Sequence, residues 1–62
     1  MTEQEREVYE KALRRCREYT ESLTAEERES GEFYTAFDMT VMLGIAFGLN
    51  PAQVMRDYIN QK

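Results

Sequence analysis

A chain of 62 residues with a net charge of −4 has room for one small domain, residues 1–62, near the lower size at which an apolar core alone supports folding. Such domains supplement their core with disulfides, a metal or a partner chain. One cysteine and no histidine exclude an internal disulfide and a Cys/His zinc cluster, and an excess of acid disfavours non-specific attraction to nucleic acid or an anionic membrane.

The charge is uneven. Residues 1–31 hold nine acidic and six basic side chains, whereas residues 32–62 hold three and two, so a charged half precedes an apolar one. The opening "MTEQEREVYE" lacks the basic flank and apolar stretch of a secretory signal, and a cytoplasmic location is expected. "FYTAFDMTVMLGIAFGL" carries Asp38 and falls short of the roughly 20 residues that span a bilayer, so no membrane partner is expected.

Thr2 followed three residues later by Glu5 is the spacing of a capping box and predicts a helix start. Val8, Tyr9, Ala12, Leu13, Cys16, Tyr19, Thr20 and Leu23 then fall within an arc of roughly 140° on a helical wheel, one apolar face opposite a charged one. Glu7 and Lys11, and Glu10 and Arg14, are four apart in the favourable order for helix ion pairs. Thr24 and Glu27 repeat the cap, and Gly31 fits a C-terminal stop, so a short polar helix redirects the chain.

Thr35 with Asp38 forms a third cap-like pair, which puts the acid in the first turn, where the helix dipole favours it. A helix is predicted from there to Phe47, with a start near Glu32 as the alternative. Phe37, Met39, Val41, Met42, Leu43, Ile45, Ala46 and Phe47 go all the way round it. A helix without a polar face is expected to be covered on every side, which two or three short helices cannot do, so part of it should meet another polypeptide. A strand over "TVMLGIAF" is disfavoured, because its alternate positions are not polar and no second strand run exists to pair with it. Gly48 fits a helix stop followed by the hydrophobic contact of Leu49. Asn50 as N-cap and Pro51 at the first helical position open a last helix over residues 51–60. That helix divides into an apolar face (Ala52, Val54, Met55, Tyr58, Ile59) and a polar one (Gln53, Arg56, Asp57, Asn60).

"GIAFGLNPAQV", residues 44–54, resembles the corner of a helix-turn-helix, with Gly44 in the slot usually held by alanine, Gly48 at the turn and Val54 pointing back to the core. The resemblance covers about a quarter of the chain and implies a second helix reading the major groove through Gln53, Arg56 and Asn60. Asp57 among them repels phosphate, and the one basic cluster, Lys11, Arg14, Arg15 and Arg17, is interleaved with Glu7, Glu10, Glu18 and Glu21, as on a solvated face.

No catalytic constellation stands out. Cys16 sits in an apolar stripe with no histidine to serve as its base. Glu26, Glu27 and Glu29 lack the alternating ligands of a calcium loop, and no phosphate-cradling glycine loop is present. The reading is an all-α bundle of three to four helices completed by homodimerisation: a non-enzymatic interaction module without metal, cofactor or small-molecule substrate. Its expected contact surface is Phe37, Val41, Leu43, Gly44, Phe47, Met55, Tyr58 and Ile59. A dimeric helix-turn-helix regulator acting through Gln53, Arg56 and Asn60 is the alternative.

Overall fold

Reciprocal caps start the first three helices. In the computed structural model, which describes residues 1–61, α1 spans Glu3–Ser22, α2 spans Ala25–Ser30 and α3 spans Ala36–Phe47. The Glu5 N–H donates to the Thr2 hydroxyl at 3.1 Å while the Glu5 carboxylate accepts from the Thr2 N–H at 3.2 Å. Thr24 with Glu27 and Thr35 with Asp38 repeat this exchange, so two orphan donors are satisfied at each helix entrance. The cap at Thr35 fixes the start of α3 at Ala36 rather than near Glu32. A fourth helix, α4, spans Pro51–Asn60 and opens with the Asn50 side-chain carbonyl accepting from the Ala52 N–H at 2.8 Å. The described residues contain no strand, and residues 40–47 are helical.

Three of the four helices pack together, with α3 against α4 and α1 laid across both. The core is small because the molecule is slender, 39 × 19 × 17 Å. Tyr9 and Leu13 of α1 meet Val54 of α4 in the buried cluster, with Leu43 and Phe47 of α3, Leu49 of the turn and Tyr58 of α4 packed around them. Met39, Thr40 and Gly44 are the buried positions of α3. The Thr40 hydroxyl donates to the Phe37 carbonyl at 2.8 Å, so its burial leaves no polar atom unpaired.

The apolar face expected for α1 is therefore covered unevenly. A 20-residue helix is about 30 Å long and α3 only about 18 Å, so Tyr9 and Leu13 are buried and residues farther along are half-buried, while Val8, at the edge of the stripe, is exposed. On the outer face of α1 the ion pairs are Arg6–Glu10, Arg15–Glu18 and Arg17–Glu21, not the expected Glu7–Lys11 and Glu10–Arg14. Solvated pairs of this kind differ by only a few tenths of a kcal/mol, so long side chains choose among several partners. Short α2 packs on none of the other helices. It is tied to α1 through the Arg28 guanidinium, which donates to the Thr20 carbonyl at 2.9 Å.

Tyr9 joins all three packed helices. Its ring meets Phe47 of α3 edge to face at 5.3 Å between centroids, and its hydroxyl donates to the Asp57 carboxylate of α4 at 2.7 Å. Burial, followed by the bond to Asp57 and that residue's charge, holds the phenol well above the ordinary tyrosine value. The folded chain thus keeps a proton that the unfolded chain sheds. The stabilisation is whole below the unfolded value near pH 10 and is lost as the pH rises through the folded-state value. Tyr9→Phe is expected to cost about 1–2 kcal/mol in urea denaturation at neutral pH. In an alkaline titration the parent's Tyr9 phenolate absorbance should appear only together with loss of helix, an increment that the variant lacks.

Candidate functional site

The arrangement of α3 follows from its smallest residue. Gly44 faces the turn into α4, where a Cβ would lie 2.8 Å from the Leu49 carbonyl oxygen and 3.5 Å from the Pro51 nitrogen. The Gly44 carbonyl in turn accepts from the Gly48 N–H and, at 2.8 Å, from the Leu49 N–H. Gly48 holds the left-handed conformation at φ 68°, the position that ends a helix at least cost when no side chain is present. The expected capped corner is thus the structure of residues 44–54, and close approach of the turn backbone fixes which side of α3 faces inward.

What faces outward is apolar as well. Phe37, Met42 and Ile45 are exposed, Ile45 by 77% and Phe37 by 65%, and Tyr34 just before the helix is exposed too. With half-buried Val41 and exposed Ala46 they occupy roughly half of the helix circumference, given 100° per residue. Among the described residues the only charge on this face is Asp38, whose carboxylate turns back to the Thr35 N–H at 3.0 Å. Phe33, Tyr34, Phe37, Asp38, Val41 and Met42 surround a shallow hollow at its N-terminal end.

The structure divides the eight residues expected at a contact surface. Leu43, Phe47 and Tyr58 pack against the chain's own core, and Gly44 is buried at the corner. Phe37 and Ile59 are exposed, and Val41 and Met55 are half-buried. Met42 and Ile45, absent from that set, supply much of the open apolar surface. Their signal was in the sequence: Thr40 and Gly44 are spaced four apart, and small residues so placed mark the side where another backbone can approach, so the large residues opposite point away.

Gln53, Arg56 and Asn60 are all exposed on α4. Gln53 and Asn60 border an open groove of about 520 Å³ between α1 and α4, shared with Arg6, Glu10, Arg14 and Asp57. Two cations and two acids balance there, and Asp57 is engaged with Tyr9. The C-terminal end of α4 is pinned to α1. The Arg17 guanidinium donates to the Gln61 carbonyl at 2.6 Å and the Gln61 amide donates to the Leu13 carbonyl at 3.1 Å, a cation at the negative end of the helix dipole.

The chain matches no protein-family model, no curated protein and no solved structure. Its chemistry is therefore read from its own residues. No cluster of three or more His, Cys, Asp or Glu side chains suited to a metal occurs among the described residues, and no helix among them is long and apolar enough to cross a membrane. Burial pushes the half-buried Cys16 thiol up from its ordinary value, away from the thiolate that acts as a nucleophile.

The close approach at Gly44 makes a sharp prediction. Alanine favours a helix interior over glycine by about 1 kcal/mol, yet a methyl group here meets backbone rather than a yielding side chain. Gly44→Ala should therefore destabilise the fold, by about 1–3 kcal/mol, measured as a lowered urea midpoint.

Proposed function

We propose that the protein is a non-enzymatic interaction module that associates with a second copy of itself through the outer face of α3. The observation that carries this reading is the exposure of Phe37, Met42 and Ile45 on α3 and of Tyr34 just before it, between 47% and 77%, while the opposite side of the helix is already used by the fold. Taking roughly 200 Å² for a fully open large side chain, these residues with Phe33, Val41 and Ala46 offer roughly 600 Å² per chain. Two such faces together supply about 1,200 Å², the lower end of a standard stable interface. A patch of this size lies at the upper end of what monomers expose and supports an interaction surface. The core adds support, since few side chains are buried and chains of this size commonly gain stability by association.

The test uses positions that leave the core untouched. Leu43 and Phe47 pack inside the chain, so charge there damages folding, whereas Ile45 is open. Sedimentation equilibrium at micromolar concentration is expected to give a dimer for the parent chain. Ile45→Glu should give a monomer of unchanged helicity by circular dichroism. A parent chain that sediments as a monomer rejects the reading.

A second reading rests on the corner at Gly44 and on Arg56, which forms no ion pair among the described residues and stands exposed beside Gln53 and Asn60. A dimer presenting two α4 helices would then read a duplex, and Arg56→Ala should remove that binding at low salt. Absence of duplex binding by the parent chain disposes of it. The self-association reading is preferred because Arg6 and Arg14 are balanced by Glu10 and Asp57 on this side of α4, which leaves no net basic patch to ground a duplex on its phosphates.

A further inference from the structure

The outer face of α3 has a projection and a recess. Ile45, the most open large apolar side chain, stands at one end, and the hollow bounded by Phe33, Tyr34, Phe37, Val41 and Met42 lies at the other. At 1.5 Å of rise per residue, the centre of the hollow is about 10 Å along the helix from Ile45. A two-fold axis crossing α3 near Val41 and Met42 exchanges these two features, so each Ile45 enters the hollow of the other copy. Contacts that exchange in this way are what an isologous interface requires. The geometry points to an antiparallel pairing of two α3 helices, Ile45 of each copy seated in the hollow of the other.

The charge on the face selects the same direction. A parallel pairing, with the two-fold axis along the helices, sets Asp38 directly against its own copy, and like charges so placed repel. The antiparallel pairing separates the two carboxylates by about 10 Å along the helices, at or beyond the screening length of physiological salt. Asp38 also lines the hollow, but its carboxylate is engaged by the Thr35 N–H at 3.0 Å, and the other lining residues, Phe33, Tyr34, Phe37, Val41 and Met42, are aromatic or apolar. Both helix entrances then lie at opposite ends of the contact, where their caps keep access to water.

This arrangement rests on the self-association proposed above, and the experiment separates the two. Cys16 is replaced by Ser to remove the native thiol, and Phe37→Cys and Ile45→Cys chains are treated with a short bis-maleimide at micromolar concentration, each alone and as an equal mixture. Sedimentation is measured on the same chains. The mixture is expected to give at least tenfold more linked dimer than either chain alone, because residue 37 of one copy faces residue 45 of the other. Dimers in which the Phe37→Cys chain links to itself as fast as the mixture, or in which neither position links, overturn the antiparallel pairing and leave self-association standing. A parent chain that sediments as a monomer overturns both.

Discussion

The packing of α1, α3 and α4 on one another meets at the Tyr9 side chain. A ring that is 6% exposed, an edge-to-face contact with Phe47 and a hydroxyl bonded to Asp57 bring α1, α3 and α4 to one point. In a domain with so few buried residues, the aromatic brings a large apolar area to that point. Its polar tip finds a partner that keeps burial from costing a hydrogen bond. The neighbours follow from this placement: Leu13 lies one turn along α1 on the same side, and Val54 lies one turn before Tyr58 and beside Asp57 on α4. Gln61 and Arg17 close the same seam from the far end.

The corner at Gly44 has the complementary effect. By letting the turn backbone approach within van der Waals distance of α3, it commits the small-residue side of that helix to α4. The large residues of the opposite side, Phe37, Met42 and Ile45, are then left largely exposed. The open apolar face is thus not a defect of packing added to the fold but the other side of the contact that makes the fold. A helix with apolar residues all round that packs along one side in a domain this small leaves an apolar face open on the other.

The parts of this structure that were legible in the sequence are those decided within four residues. Thr2–Glu5, Thr24–Glu27 and Thr35–Asp38 place three helix entrances, and Gly31, Gly48, Asn50 and Pro51 place the breaks, because capping is local chemistry between a side chain and the backbone beside it. The apolar stripe of α1 was legible as a stripe, but not the extent to which α3 and α4 cover it, since that depends on the relative lengths and crossing of helices. Tyr9 with Asp57 and Leu13 with Gln61 are each separated by 48 residues, and no local pattern announces such pairs. The uniform apolarity of α3 concealed its inward side. Only the pair Thr40 and Gly44 distinguished it, and Gly44 admitted an intermolecular reading until the turn was seen to occupy the space above it.

The α2 corner carries a different kind of freedom. Its helix packs on none of the others; the Arg28 guanidinium on the Thr20 carbonyl and the Tyr34 N–H on the Tyr19 hydroxyl moor the connection between α1 and α3. Lengthening a closed loop costs only about 0.6 kcal/mol for each doubling. Residues 25–32 are all exposed, so this segment is where the chain tolerates insertions, and where a probe or an added domain leaves both the Tyr9 junction and the outer face of α3 undisturbed.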